Sequence, residues 1–402
     1  MKFVSPVLKR LVYPCLSRSG YLRHRAATGG LSVVTYHGVL PMGYRVSDPN
    51  LDGNLVSTES LRRQLRLLKS HYNVITPEQV FLWSENKQEL PPRAVLVTCD
   101  DGLLNNLTDM LPVLQDERVS CLFFVTGAPL DNKPQMLWHE ELYLMLMAAR
   151  EGFFTVSVDS TRFESCLGSF EQRNSQWWML VKRLSQCDRA TRQEFLRATR
   201  EELGFREEWK SAYLDDPVLR RRFLMLGVPE LKQLVAAGVS IAAHTLTHPI
   251  LSQLSPELAY HEIAASRLRL EETLEIEVCA LAYPFGDPES LTNRELELAE
   301  RAGYRCAFVN FGGGFGADMP RFAIPRVNIN SDMGLGEFEA NISGFYRGMR
   351  QRFYGTEHIS RSALPGCLQQ ERNEIVQESG EGFGHLGFSQ KSRARRVEEH
   401  CS

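Results

Sequence analysis

Along the chain, short runs of contiguous apolar residues alternate with stretches in which apolar residues recur every three or four positions. Leu31 to Tyr36 (LSVVTY), Ala94 to Thr98 (AVLVT) and Cys121 to Val125 (CLFFV) are of the first kind and predict buried strands. Val239 to Ala243, Val278 to Ala282, Tyr304 to Val309 and the stretch around Ile324 to Ile329 (IPRVNI) predict more of them, and Val74-Ile75 starts a short extended piece. Between them lie helical patterns. Thr58 opens one with Leu61, Leu65 and Leu68 on one face, Thr76-Pro77 with Gln79 forms a capped helix start, and another helix begins near Leu103. Pro229 to Ala237 stops at Gly238, Ser255-Pro256 starts a helix through Leu268, and Thr292 with Glu295 caps one that ends at Gly303. Strand and helix alternate throughout, which predicts an α/β fold with a mainly parallel sheet; the length fits a single large (β/α) barrel with an insertion, two small domains being the alternative.

One stretch breaks this order. Residues 137–228 read as a helical insertion, with Trp138, Leu142, Leu146, Trp177, Trp178, Val181 and Leu184 at helical spacing and a strand run only at Phe153 to Val158. Its aromatics read as packing residues. Gly312 to Gly316 (GGGFG) reads as a loop at the rim of the site, since no helix clearly follows it as a phosphate-binding loop would need.

Composition narrows the class without changing that picture. With 402 residues, 43% hydrophobic, 24% charged and a net charge of -3, the chain is an ordinary globular protein, which excludes collagen-like, coiled-coil and wholly disordered readings. No apolar run approaches the roughly 18 residues of a membrane-spanning helix. Nine cysteines without CxxC spacing read as free thiols in a reducing compartment. The first 47 residues carry seven Lys or Arg and no acid before Asp48, so residues 1–30 form a basic leader. It reads as a flexible segment, the alternative being a short amphipathic helix lying on an anionic membrane face. From about residue 365 the chain is polar and glycine-containing, and the C-terminal extension 346–402 reads as disordered from there. No basic and aromatic platform suggests a nucleic acid partner, and no obligate protein partner is evident.

Three polar clusters follow predicted strands directly: Thr98-Cys99-Asp100-Asp101-Gly102, His244-Thr245-Leu246-Thr247-His248, and Tyr283-Pro284-Phe285-Gly286. Strand C-termini in a parallel barrel open on one face, so the clusters converge there whatever their separation in sequence. Two adjacent carboxylates repel, and a bound cation relieves them. Asp-Asp-Gly is otherwise an ordinary helix-capping turn. His244 and His248 tip the balance, because two imidazoles with one carboxylate make a catalytic zinc set that leaves a position for water.

The motifs TCDDG, HTLTHPIL and AYPFG resemble the first three motifs of the polysaccharide deacetylase family, the NodB-type carbohydrate esterases, over about residues 31 to 330 outside most of the insertion. The resemblance implies a distorted (β/α) barrel at residues 31–345 and metal-dependent removal of an N-acetyl, or less often O-acetyl, group from a sugar. It implies Asp101, His244 and His248 as ligands of a divalent ion, zinc first, and Asp100 as general base. It further implies the Phe285 amide as oxyanion donor, with Tyr283 and Pro284 against the substrate. The resemblance is to a subset of the family with a Tyr-His before the acidic motif, here Tyr36-His37, which implies His37 as general acid in place of the late Leu-x-His of many members. Many members also carry an Arg two residues before the motif's Pro, where this chain has Ala282; Arg326 at another strand end is a candidate to replace it, the alternatives being that it binds substrate or only a surface carboxylate.

Three alternatives stay open on sequence. One is a deacylase of a lipid-linked amino sugar at the inner membrane face, one a non-catalytic carbohydrate-binding relic, and one a metal amidohydrolase for a small amide. The expected location is the cytoplasm, with the basic leader as a peripheral membrane contact.

Overall fold

Among the described residues, thirteen strands form in chain order. They are β1 Leu31–Tyr36, β2 Val39–Leu40, β3 Val56–Ser57, β4 Asn73–Val74, β5 Ala94–Cys99, β6 Leu122–Val125, β7 Gly152–Val158 and β8 Thr161–Leu167, then β9 Ser240–Ala243, β10 Ala280–Ala282, β11 Cys306–Val309, β12 Ile324–Pro325 and β13 Val327–Asn328. The computed structural model describes residues 6–26, 30–46, 48–127, 130, 135–158, 161–311, 320–347 and 349, all within one unit, Met1–Pro365. The C-terminal tail from residue 365 and the Gly312 to Gly316 loop lie outside the described residues.

The main sheet is parallel, in the order β12-β11-β10-β9-β6-β5-β1-β13, with β4 beside β5. Its two end strands are separated in sequence only by Arg326, so the sheet returns on itself as the expected (β/α) barrel. Strand periodicity sorts the side chains. Leu31 and Val33, Ala94 and Leu96, Leu122 and Phe124, Ala280 and Ala282, and Cys306 and Phe308 fill the interior, where the Phe124 and Phe308 rings meet edge to face at 5.3 Å. Val34, Val95, Val97, Phe123, Ile241, Leu281 and Val309 face outward onto helix residues such as Leu61, Leu65 and Leu231. Continuing the inward parity past each strand end brings His37, Asp100, Thr126, His244, Asn310 and Arg326 to the barrel mouth, a placement set by the chain's own alternation.

Local signals act as the sequence predicts. Thr76 and Gln79 form a reciprocal capping box, as do Thr292 and Glu295, and the Ser255 side chain caps the helix Pro256–Leu274. No cysteine among the described residues forms a disulfide, and burial pushes the Cys99 thiol well above its usual range.

Two features differ from expectation. The basic leader is helical at Tyr13–Arg18 and Tyr21–Arg25, and Tyr13 and Leu22 are fully buried beside Ala340 of the helix Leu335–Ile342. Its cations face acids of that same region. Lys9 reaches Asp332 at 2.9 Å and Glu337 at 3.2 Å, and Arg23 reaches Glu339 at 2.8 Å. Burial of two large side chains, more than these partly exposed ion pairs, orders the segment.

The insertion, in turn, is not all helical. β7 and β8 form an antiparallel hairpin whose inward Phe154, Val156, Phe163 and Leu167 pack with residues of the helices Trp138–Ala148, Phe170–Leu184 and Arg189–Glu202 in a core of their own. Its two ends are tied together and to the acidic loop by the bridges Met136 to Leu224 and Leu103 to Met225, with Leu226 N–H donating to Gly102 O at 2.7 Å.

Candidate active site

The acidic pair divides at the end of β5. Asp100 keeps the inward parity and is fully buried, each carboxylate oxygen accepting from one terminal nitrogen of Arg326 at 2.7 Å. Asp101 turns out of the strand with φ +73°, which lets both carboxylates reach one cavity. Gly102 follows at φ +77°, where a Cβ would press to 3.1 Å on Val125, so the turn suits glycine alone. Arg326, also fully buried, lies with its guanidinium 5.2 Å from the Phe124 ring centre. The residue offered to replace the missing arginine of the third motif thus grips Asp100 in a two-pronged pair.

The histidine loop leaves β9 by two more left-handed residues, Thr245 at φ +60° and His248 at φ +58°. For a β-branched residue that conformation is strained. The Thr245 hydroxyl compensates in part by accepting from the His248 amide at 3.1 Å. His244 Nδ1 lies 2.7 Å from the Ala282 carbonyl, which fixes that nitrogen as the N–H donor and leaves Nε2 with a bare lone pair. Nε2 of His244 lies 3.5 Å, and Nε2 of His248 3.4 Å, from Asp101 Oδ1.

This constellation fits a divalent ion. Asp101 Oδ1 is buried and has no hydrogen-bond partner among the described residues, although two imidazole nitrogens face it. Ligands about 2.0–2.2 Å from a tetrahedral ion sit roughly 3.3–3.6 Å apart, which matches the separation of Asp101 Oδ1 from each of the two imidazole nitrogens. Among the described residues, these three are the one cluster of at least three His, Cys, Asp or Glu side chains with ligand atoms this close together, within 4.8 Å of one another. Burial pushes the Asp101 carboxyl up, but His244 and His248 outweigh it and hold it well below the usual range. Burial likewise lowers His248, whereas at His244 the carboxylates of Asp100 and Asp101 overcome burial and raise it. A dication in the site would take the place of that proton.

The other expected residues fall around this centre. His37 stands at the mouth with Nδ1 buried and without a partner among the described residues. Phe285 has φ +61°, and its ring lies 5.0 Å from the His248 ring; among the described residues its amide donates to no carbonyl. Gly286 closes the turn so near Asn310 that a Cβ would come within 2.7 Å of the Asn310 nitrogen. Tyr283 departs from the expectation of substrate contact. Its side chain is wholly buried in the outer core and its hydroxyl donates to the Phe322 carbonyl at 3.1 Å, because its strand parity points it away from the mouth. Pro284 is buried too.

The insertion adds residues that the motifs do not announce. His139 places its ring 5.4 Å from that of His248, tilted by 35°, and burial pushes its imidazole down to about 3. Trp138 donates to the His248 carbonyl at 3.4 Å, and Trp178, 42% exposed, meets the Phe285 ring at 6.3 Å. Arg192 is buried, with its guanidinium donating to both the carbonyl and the hydroxyl of Thr247, while Glu262 accepts from the Thr247 amide at 2.8 Å and its hydroxyl at 2.5 Å. Arg222 joins Asp52 and Glu140 in a buried ion network that anchors the helix bearing His139. The sequence offers only Trp138-His139-Glu140 as a signal, and nothing in it says where that helix folds back. Arg192→Ala is expected to loosen the loop that carries His248 and to weaken the binding of an added divalent ion by about ten- to a hundredfold, as measured by competition with a chelating dye.

Comparison with known proteins follows the same residues. Residues 212–307 match the family model described as polysaccharide deacetylase, a span that holds His244, His248 and Phe285 and begins after the acidic pair. YxkH of Bacillus subtilis (strain 168), whose name marks it provisionally as a polysaccharide deacetylase, is 25% identical over 154 residues, 35% of this chain and 53% of its own. The chain therefore spans about half the length of that curated relative. Among solved structures, the Streptococcus pyogenes deacetylase PplD in complex with acetate aligns over 78% of this chain and 98% of its own, at 16% identity and a TM-score of 0.48. IcaB from Ammonifex degensii aligns over 78% and 97%, at 18% identity and a TM-score of 0.48. Residues 212–307 thus carry this chain's similarity to the polysaccharide deacetylase family.

Proposed function

We propose that the barrel mouth is the active site of a metal-dependent hydrolase that removes an N-acetyl, or less often O-acetyl, group from a carbohydrate. The observation that carries this reading is the pairing of an orphaned Asp101 Oδ1, flanked by two imidazole nitrogens, with a second carboxylate, Asp100, held apart by Arg326.

Asp101, His244 and His248 would hold the ion; when bound, it supplies a Lewis acid and lowers the pKa of a water molecule. Asp100 takes the proton of the attacking water. Its two oxygens are fixed by the arginine, so its position costs no reorganisation during the reaction. The Phe285 amide, left without a carbonyl acceptor among the described residues, is the donor for the oxyanion that forms at the acyl carbon. His37 supplies the proton that the leaving amine needs. His139 is held neutral by burial beside His248 and contributes shape and a polar edge.

The exposed face of Trp178 beside Phe285 favours a sugar over a small amide, since a pyranose ring stacks on such a face. Trp178→Ala is therefore expected to raise KM for an acetylated oligosaccharide about two- to tenfold with kcat nearly kept, read from initial rates; an unchanged KM favours the small-amide reading. The reaction itself is tested by acetate release from a panel of N- and O-acetylated oligosaccharides with zinc-loaded protein and with chelated protein. Release that chelation stops supports the proposal, and release that survives chelation overturns its metal dependence.

A second reading, a lipid-linked amino sugar at the inner membrane face as substrate, is favoured by the docked leader. Val7, Leu11 and Tyr21 are 58%, 62% and 48% exposed on the segment that carries Arg10, Arg18 and Arg25. It predicts co-sedimentation with anionic but not zwitterionic vesicles, lost in Leu11→Glu; equal recovery with both vesicle types contradicts it.

A further inference from the structure

Three rings meet beside the proposed metal ligands. The His248 ring centre lies 5.0 Å from that of Phe285, and the His139 ring centre lies 5.4 Å from His248 and 6.5 Å from Phe285. Two of these residues have roles in the proposed reaction, His248 toward the ion and the Phe285 amide toward the oxyanion. An acyl oxygen that faces both lies where they adjoin, and His139 is the third wall of that corner. The His139 side chain is half-buried, with Nδ1 enclosed and without a partner among the described residues. A neutral imidazole carries its one proton on either nitrogen. A buried N–H with no acceptor is rarer than an acceptor with no donor, which assigns the proton to Nε2 and makes that atom a donor. The backbone at His139 is held from several sides. Trp177 Nε1 donates to the His139 carbonyl at 2.8 Å, and the next residue, Glu140, accepts from Arg222 at 2.8 and 3.2 Å. Arg222 also donates to Asp52 at 2.7 Å, and Tyr143, one turn further along the helix, donates its hydroxyl to Asp48. A buried ion network of this kind stabilises little beyond what apolar packing would, so what it supplies is a fixed place for the helix.

We infer that His139 is a further catalytic residue of this site, a second hydrogen-bond donor to the acyl oxygen through Nε2–H. The inference rests on the proposed hydrolysis and adds to the Phe285 amide a side chain that the insertion contributes. As the water oxygen bonds to the acyl carbon, one proton of the water passes to Asp100 and the carbonyl electron pair moves onto the acyl oxygen. As the carbon–nitrogen bond breaks, that pair returns to the carbonyl and the leaving amine takes its proton from His37. His139 transfers nothing and keeps its proton throughout. Its hydrogen bond strengthens as charge gathers on the oxygen, which is the condition for lowering a barrier instead of only tightening binding.

The test compares the full zinc-loaded chain with His139→Phe, which keeps a ring and loses the donor, and with His139→Gln, whose side-chain amide restores an N–H. His139→Leu serves as a second donorless variant. With an N-acetylated glucosamine oligosaccharide, His139→Phe is expected to lower kcat about ten- to a hundredfold with KM within about twofold, and His139→Gln to recover part of the loss. A binding measurement runs beside the kinetics. A methylphosphonamidate of glucosamine, tetrahedral like the intermediate, is expected to bind His139→Phe about tenfold more weakly by calorimetry, whereas the deacetylated oligosaccharide binds both proteins alike. Zinc affinity, read by competition with a chelating dye, is expected to be the same in all four proteins. A fall in zinc affinity that accounts for the lost kcat makes His139 a support for His248 and overturns the inference. A raised KM with kcat kept places the hydrogen bond on the bound sugar and overturns it too. If the unaltered chain releases acetate in a chelation-sensitive way and both donorless variants match it, the hydrolytic reading stands and this one falls. If the unaltered chain releases no acetate, the hydrolytic reading falls and this inference with it.

Discussion

Asp100→Asn is expected to retain the zinc ion and lose turnover by about a hundred- to ten-thousandfold, the range for removing a general base. Asp101→Asn is expected to lose both together. The two residues are neighbours in sequence, yet their nearest partners differ, although Asp100 Oδ2 also lies 3.9 Å from His244 Nε2. Asp101 Oδ1 faces the Nε2 atoms of His244 and His248, while both oxygens of Asp100 are turned to Arg326. Metal content by mass spectrometry and acetate release on the same samples give the comparison. A variant pair that behaves alike, either both losing zinc or both keeping activity, contradicts the division of roles.

Arg326→Met is expected to be the most destabilising single change at the mouth, on the order of 3–5 kcal/mol, because it leaves a fully buried carboxylate without its countercharge. The double variant Asp100→Asn with Arg326→Met is expected to be more stable than Arg326→Met alone, since the unpaired charge is gone. Urea midpoints of the four proteins complete the cycle. Additive losses contradict the account, for they would mean that the pair is not coupled. Because Asp100→Asn also unpairs Arg326, its turnover is best compared at a temperature where its fold is shown to be intact.

Much of this architecture was legible in the sequence because the barrel strands bury both faces. LSVVTY and AVLVT have no polar side to confuse the reading, and they pair in register from Leu31 with Ala94 to Tyr36 with Cys99. The helix starts at Thr76 and Thr292 were legible because a capping box is a local device. β8 was not. In TRFESCL the inward positions are Phe163, Ser165 and Leu167, and a serine in the middle of the apolar face erases the alternation that the hairpin partner and helices restore. The leader was opaque for a similar reason. Tyr13 and Leu22 become core only through contact with residues more than three hundred positions away.

The site divides along the same line. His37, Asp100, His244 and Arg326 follow from strand parity, which a sequence carries. Arg326 in particular sits between β12 and β13, where the barrel closes, and reaches Asp100 from the far end of the chain. His139, Trp178 and Arg192 come to the mouth because the insertion folds back on it, and no local spacing encodes that return. Tyr283 shows the opposite error, in which a motif position suggested substrate contact while the parity of β10 turns its ring into the core.

The claim on which everything else depends is that Asp101, His244 and His248 bind one divalent ion at the barrel mouth. X-ray absorption at the zinc edge of the loaded full chain, with metal content measured on the same sample, tests it most directly. The account predicts about one zinc per chain, bound through two imidazole nitrogens and oxygen ligands with no sulfur, and loss of that signal in His248→Ala. A sulfur-rich zinc environment, or an unchanged spectrum in His248→Ala, would contradict it.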